Sequence, residues 1–188
     1  RIVARLARNA PDPFVRIEAL ESLGDLHDAR VEALAVLSEA AFRDPDLDVQ
    51  VKAAEALGDL DAPQAVEQLA RIVSMHRDLR VQIAATEALA DVHPQEPAVR
   101  ALQRIVLSHP EMRVRMEAME ALADTGEPRL VADFIKEVLG SNASLEVKLE
   151  ALETLGDLAD EAGVALLRHV AASNERMLRE KAGELLED

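Results

Sequence analysis

The sequence predicts an all-α solenoid, that is, a stack of similar helix pairs. The first observation is an internal repeat: the segment from Val15 to Asp25 recurs five more times, at spacings of 31 to 34 residues, and such periods are typical of helical repeat proteins. The second is that apolar residues follow a helical period both within each copy and between copies. The third is that no stretch shows the apolar–polar alternation of a β-strand.

The repeated segment predicts one helix of each pair. If its first residue is counted as position zero, position four is Ala and position eight is Leu in all six copies. Residues spaced by four lie on one face of a helix, and a small residue between two larger ones lets a neighbouring helix approach closely. We therefore assign positions zero, four and eight to the core. The copies begin at Val15, Val49, Val81, Val114, Val147 and Leu178.

The stretches between the copies predict the other helix of each pair. Three of these helices are expected to start at a proline, because the missing N–H removes no hydrogen bond at a helix start. These prolines are Pro63, Pro97 and Pro128. The predicted organisation is a single solenoid over residues 1–188, with helix pairs at approximately 1–26, 27–60, 61–92, 93–125, 126–158 and 159–188.

An acidic residue lies three residues before position zero in five of the six copies. A carboxylate at this place interacts favourably with the positive end of the helix dipole. It also precedes position one by four residues, and an acid followed by a base at this spacing predicts an ion pair along the helix. The predicted pairs are Asp12–Arg16, Glu111–Arg115 and Glu175–Arg179.

The pattern Asp-Pro-x-x-x-Val-Arg-x-x-Ala-x-Glu-x-Leu-Gly-Asp resembles HEAT repeats, in particular the short HEAT-like repeats named after phycobilisome lyases. The resemblance implies a right-handed α-α superhelix in which the Val-Arg helix lines the concave surface and the other helix forms the convex back. The first helix lacks part of its apolar pattern, and the sixth copy has no polar capping helix after it. We therefore expect more repeats or another domain in the parent chain.

The formal net charge of −15 is concentrated in one type of helix. The windows from three residues before position zero to ten after it contain 24 acidic and nine basic residues, whereas acids and bases balance in the rest of the chain. Position six is Glu and position ten is Asp in all six copies. On a helix, positions three, six, seven and ten are expected to lie opposite the core, where stacked copies would form an acidic column.

Two interpretations of the acidic column stay open. It can serve solvation and turn geometry alone, because Glu is a good exposed helix former and Asp favours turns. Alternatively, it attracts a Lys- or Arg-rich segment of a partner protein, with specificity from the variable positions two, three and seven. The candidate partner-binding residues are Glu18, Glu21, Glu55, Glu87, Glu117, Glu120, Asp124, Glu150 and Glu153.

The composition excludes several classes of function. The chain has no Cys, so it can form neither a disulfide nor a thiol nucleophile. An acidic chain with three Phe and no Trp or Tyr lacks the residues with which proteins bind nucleic acids, and its charge disfavours anionic membranes. It has no signal peptide and no apolar run near the roughly 20 residues of a membrane helix. We therefore expect a cytoplasmic location.

No catalytic, cofactor or metal site is predicted. There is no Gly-rich phosphate loop and no nucleophile elbow, and none of the histidines is followed by the Glu that HEAT-like iron hydroxylases use. The histidines are expected in turns or on the surface: His27, His76, His93, His109 and His169. The predicted function is a non-catalytic protein-interaction scaffold. The alternatives are a bilin lyase or chromophore chaperone, on the family resemblance alone, and a structural spacer.

Overall fold

The computed structural model describes residues 1–25, 30–60, 62–93, 95–158 and 161–187, and these residues form helices and no strand. We call the first helix of each pair an A helix and the second a B helix. The A helices are α1 Ile2–Asn9, α3 Arg30–Arg43, α5 Pro63–Met75, α7 Gln95–Ser108, α9 Pro128–Gly140 and α11 Glu161–Ala171. The B helices are α2 Pro13–Gly24, α4 Leu47–Asp59, α6 Leu79–Glu87, α8 Met112–Asp124, α10 Leu145–Leu158 and α12 Arg176–Glu184.

The helices group into two compact units, residues 1–101 and 102–188, with the boundary inside α7. In unit 1, α4 packs against α2 and α6, and α3 packs against α1 and α5. In unit 2, α10 packs against α8 and α12, and α9 packs against α11. Within each unit, B helices therefore contact B helices and A helices contact A helices, as stacked helix pairs require. A 3₁₀ turn, Ala88–Asp91, follows α6.

The core prediction is confirmed in the interior copies, where positions zero, four and eight are buried. It is wrong at the two ends of the chain. Val15 is 40% exposed, and Leu186 is only half-buried. They lie in the first and the last copy of the given sequence, where the structure contains a neighbouring helix pair on one side only.

Two of the three predicted helix starts are confirmed, at Pro63 and Pro128. The third is wrong by two residues, because α7 begins at Gln95 and Pro97 is its third residue. A proline is tolerated there for the same reason, since the first four N–H groups of a helix have no partner within it.

The acids before the B helices are N-caps, and the predicted ion pairs along the helix are wrong. Asp46 Oδ1 accepts hydrogen bonds from the N–H groups of Asp48 and Val49. Arg16 does not bind Asp12; it donates from Nε and Nη2 to the two carboxylate oxygens of Asp44, both at 2.8 Å. The aspartates at the starts of α2, α4 and α6 are thus engaged by the backbone, as capping residues are, whereas the side chains of Glu111 and Glu175 make no such bond.

Position one closes the turn that joins the two helices of a pair. In five copies its side chain donates to the main-chain oxygen six residues earlier, over 2.6 to 3.2 Å. These donors are Arg16, Gln50, Gln82, Arg115 and Arg179, and they satisfy carbonyl groups near the end of the preceding A helix. This bond explains why Gln and Arg both occupy the position, and why Arg115 and Arg179 do not pair with Glu111 and Glu175.

Neighbouring B helices approach each other closely where position nine is Gly. A Cβ atom on Gly58 would lie 2.7 Å from the main-chain oxygen of Ala88, and one on Gly24 would lie 3.1 Å from that of Ala56. Position nine of one copy therefore packs against position seven of the next. This contact explains why Ala56 and Ala88 are buried, and the prediction that position seven is exposed is wrong for all four interior copies, since Ala121 and Thr154 are buried as well.

We expect Gly58→Ala to destabilise the protein although alanine is the better helix former. The added Cβ meets backbone atoms that cannot rotate away, and overpacking of this kind costs about 1–3 kcal/mol in the free energy of unfolding. Gly183→Ala is the matched control, because a Cβ there meets nothing within 4 Å and the substitution should stabilise its helix by up to about 1 kcal/mol. Urea denaturation of both variants measures the difference, and equal midpoints would contradict the close approach.

We expect Asp44→Ala to lower the free energy of unfolding by about 3–5 kcal/mol, because it leaves the guanidinium of Arg16 buried without its partner. The side chains of Arg16 and Asp44 are only 8% and 6% exposed. Glu39→Ala is the control: it removes the partner of Arg8 from an ion pair that is 39% and 50% exposed and should cost less than about 1 kcal/mol. Similar losses in the free energy of unfolding for both variants would show that the buried ion pair stabilises the protein no more than an exposed one.

Candidate protein-interaction face

The B helices of unit 1 turn three of their positions toward solvent. Positions two, six and ten are spaced by four, so they follow one another along one face of the helix. In α2, in α4 and in α6 with its 3₁₀ turn, this face reads apolar, Glu, Asp. We call these nine residues the unit 1 face: Ile17, Glu21, Asp25, Val51, Glu55, Asp59, Ile83, Glu87 and Asp91.

A lysine bridges two of the predicted site residues on this face. Lys52 Nζ lies 2.9 Å from Glu21 Oε1 and 2.8 Å from Glu55 Oε2. The hydrogen bonds to Glu55 and Glu21 raise the pKa of Lys52 above its ordinary value. The structure therefore brings Glu21 and Glu55 together around the ammonium group of Lys52. The sequence alone did not predict this bridge.

The aspartates at position ten lie close enough to interact. The pKa of Asp59 is raised, first by burial and then by the charges of Asp91 and Asp25, while Lys52 acts in the opposite direction. Because charges on either side shift the pKa of the same carboxyl group, Asp25 and Asp91 lie within electrostatic range of Asp59 in unit 1. Asp188, the sixth residue predicted at position ten, lies outside the described residues.

The two remaining predicted site residues of unit 1 are exposed. Glu18 occupies position three of the first copy, and Glu87 occupies position six of the third. Position three is acidic in α2, but in α4 the equivalent residue is Lys52 and in α6 it is the buried Ala84. The acidic surface of unit 1 is therefore formed by positions six and ten, and position three contributes only in the first copy.

Unit 2 gathers a second group of carboxylates. The pKa of Glu150 is raised, first by burial and then by Glu153, Glu120 and Asp157, whereas Lys181 lowers it. Lys181 Nζ lies 2.5 Å from Glu153 Oε1. The structure thus brings together Glu120, Glu150 and Glu153 of the predicted site, with one lysine among them.

Glu117 and Asp124 complete the predicted site residues of unit 2. Glu117 is half-buried at position three of α8, and Asp124 is exposed at position ten.

The raised carboxyl pKa values oppose folding at neutral pH. A carboxyl group whose pKa is higher in the folded than in the unfolded chain is disfavoured as an anion in the folded state. The resulting penalty is absent below the unfolded pKa and fully present above the folded pKa. Asp59 and Glu150 are therefore unfavourable when ionised, and either protonation or a nearby cation would relieve them.

The histidines described in the turns act as turn residues. Asp78 donates its N–H to His76 Nδ1 at 3.1 Å, and Glu111 donates its N–H to His109 Nδ1 at 3.2 Å. Asp44 accepts from the N–H of Asp46 at the equivalent place. The predicted turn role is confirmed for these two histidines, whereas His27 lies outside the described residues.

The described part of the chain contains no candidate metal centre and no membrane-spanning helix. No group of three or more His, Cys, Asp or Glu side chains there could hold a metal ion. No helix formed by those residues is long and apolar enough to cross a membrane.

Position two of the unit 1 face, expected from the sequence to be a variable position that gives specificity, is a row of apolar residues. Ile17, Val51 and Ile83, all at position two, are half-buried and stand one helical turn before the glutamates. The signal was present in the sequence, because position two is apolar in five of the six copies.

Comparisons with solved structures show the fold. The complex of CpcE and CpcF of phycocyanin lyase from Nostoc sp. PCC7120 aligns with a TM-score of 0.56 and 20% identity, covering 81% of this chain and 95% of the other. Human deoxyhypusine hydroxylase in complex with glycerol aligns with a TM-score of 0.42 and 20% identity, covering 98% of this chain and 83% of the other, a similarity too low to carry an argument. Comparison with curated protein sequences gives no significant match.

The family model of HEAT repeats matches residues 2–90 and 72–142, well over half of the chain. The predicted fold class, an all-α solenoid of HEAT-like helix pairs, is thereby confirmed, and the phycocyanin lyase complex agrees with the predicted resemblance to the repeats of phycobilisome lyases. The chain belongs to the HEAT-repeat family.

Proposed function

We propose that this chain is a non-catalytic protein-interaction scaffold whose B helices bind a Lys- or Arg-rich segment of a partner protein. The observation that carries the proposal is the row arrangement of unit 1, where three successive B helices present Glu at position six and Asp at position ten to solvent. Charges ordered in this way attract a cationic segment and guide its approach. Unit 2 offers a second, smaller acidic group around Glu150.

Electrostatic repulsion among the carboxylates of the unit 1 face and among those around Glu150 supports the same proposal. The pKa values of Asp59 and Glu150 are raised in part because neighbouring carboxylates repel their charges. A lysine or arginine of a partner would offset this repulsion and lower both pKa values. Binding would then recover stability that the folded chain loses by concentrating its acids, and it would weaken with salt because these groups are near the surface.

We expect the combined substitution Glu18→Lys, Glu87→Lys and Glu120→Lys to abolish capture of the partner from cell extract at low salt. These three acids are exposed, and the choice avoids Glu21, Glu55 and Glu153, whose carboxylates are held by lysines. The wild-type chain should retain the partner at low salt and release it at high salt. Mass spectrometry of the captured proteins gives the result.

The matched control reverses three acids on the A helices, Glu32→Lys, Glu67→Lys and Glu137→Lys. These residues are also exposed, so the control changes the net charge by the same amount and leaves the B helices intact. It should capture the same partner as the wild type. If both triple variants lose the partner equally, net charge is responsible and not the faces; if neither does, the proposal is wrong.

We expect Lys52→Gln to tighten the binding of a basic ligand several-fold at low salt, the opposite direction to the acid reversals. The substitution removes the cation that neutralises Glu21 and Glu55 and so increases the negative potential of the unit 1 face. Fluorescence anisotropy with a labelled oligo-lysine peptide measures the dissociation constant. Lys136→Gln on α9 is the control for the same change in net charge, and unchanged or weaker binding by Lys52→Gln would contradict the role of this face.

A further inference from the structure

The unit 1 face carries a row of apolar side chains beside its acids. Ile17, Val51 and Ile83 occupy position two of α2, α4 and α6, and each is half-buried. On the basis of the proposed function, we infer that this row is part of the binding surface and that the partner segment is an amphipathic basic helix. Its apolar side would lie on these three residues and its Lys or Arg residues beside the glutamates.

The two rows are adjacent and parallel. Position six follows position two by one helical turn, about 6 Å along the helix axis. Neighbouring B helices are held close by the contact of Gly24 with Ala56 and of Gly58 with Ala88, so equivalent residues in successive copies lie about 8–10 Å apart. A ligand that follows the apolar row therefore passes the glutamate row at a constant distance.

The spacing of the apolar row determines the form of the partner. On an α-helix, residues seven apart lie on the same face and about 10 Å apart along the axis. A partner helix laid across α2, α4 and α6 can thus place one apolar side chain at each of Ile17, Val51 and Ile83. Its basic residues, on the flank toward position six, face Glu21, Glu55 and Glu87. Helices with such anchors are a common mode of peptide recognition.

Position two is apolar in five of the six B helices. In the last copy of the given sequence it is Glu180, which is exposed and forms an ion pair with Arg176. The apolar row is also shorter in unit 2, where Met116 and Leu149 are followed by Glu180. The complete combination of three apolar residues with two acidic rows belongs to unit 1.

The test is a selection from a random peptide library displayed on phage, carried out at low salt on the whole chain. The wild type should enrich peptides that combine Lys or Arg with apolar residues about seven positions apart. The variant Ile17→Thr, Val51→Thr and Ile83→Thr should still enrich basic peptides but lose the apolar preference. A peptide selected on the wild type should bind this variant about tenfold more weakly, since part of the apolar contact is removed.

The control is Val31→Thr, which makes the same kind of change at an 85% exposed residue of α3 and should behave as the wild type. If the wild type enriches basic peptides without apolar residues, the inference is wrong and the proposed function stands. If it enriches no basic residues, both are wrong. The composition selected on the wild type decides between these outcomes even if the triple variant folds poorly, which thermal denaturation would reveal.

Discussion

The close approach of neighbouring B helices is the constraint on which the rest of the structure depends. A Cβ on Gly58 would collide with the backbone of Ala88. The small Ala side chain at position seven of the facing helix allows the same close approach from the other side. In the interior copies, positions zero, four, five and eight are buried in the core, position seven is buried, and position one closes the turn in three of these copies. Positions two, three, six and ten are what is left, so packing determines which residues can meet a partner.

The close approach of the B helices also determines the distance between their acidic side chains. Acids on one B helix stand about one helix spacing from acids on the next, where a pair of like charges costs roughly 0.4 kcal/mol in water before screening by salt. Lys52 and Lys181, both at position three, offset part of this repulsion by reaching the glutamate of the preceding copy. The two lysines offset only part of the negative charge, so the acidic surfaces of unit 1 and of unit 2 both stay net negative.

The sequence predicted the features that depend on a single helix and missed those that depend on its neighbours. Periodicity identified the helix pairs and the core positions, and the capping role of Asp46 follows from its place before a helix. A helical wheel has only one buried side, however, whereas an interior B helix has neighbours before and after it, so the burial of Ala56 and Ala88 could not be predicted. Arg16 likewise reaches across to Asp44 in the next turn, a contact that spacing along one helix does not contain.

The apolar row shows why position in the stack matters more than residue type. Ile17, Val51 and Ile83 are what a search for core residues would assign to the interior, and the charge pattern directs attention away from them. Once the neighbours of each B helix are known, these residues are half-buried apolar side chains next to a mainly acidic surface. A surface that serves solvation alone has no need of an ordered apolar row beside its acids. The proposed recognition of an amphipathic basic segment rests on this half-buried row and on the two acidic rows next to it.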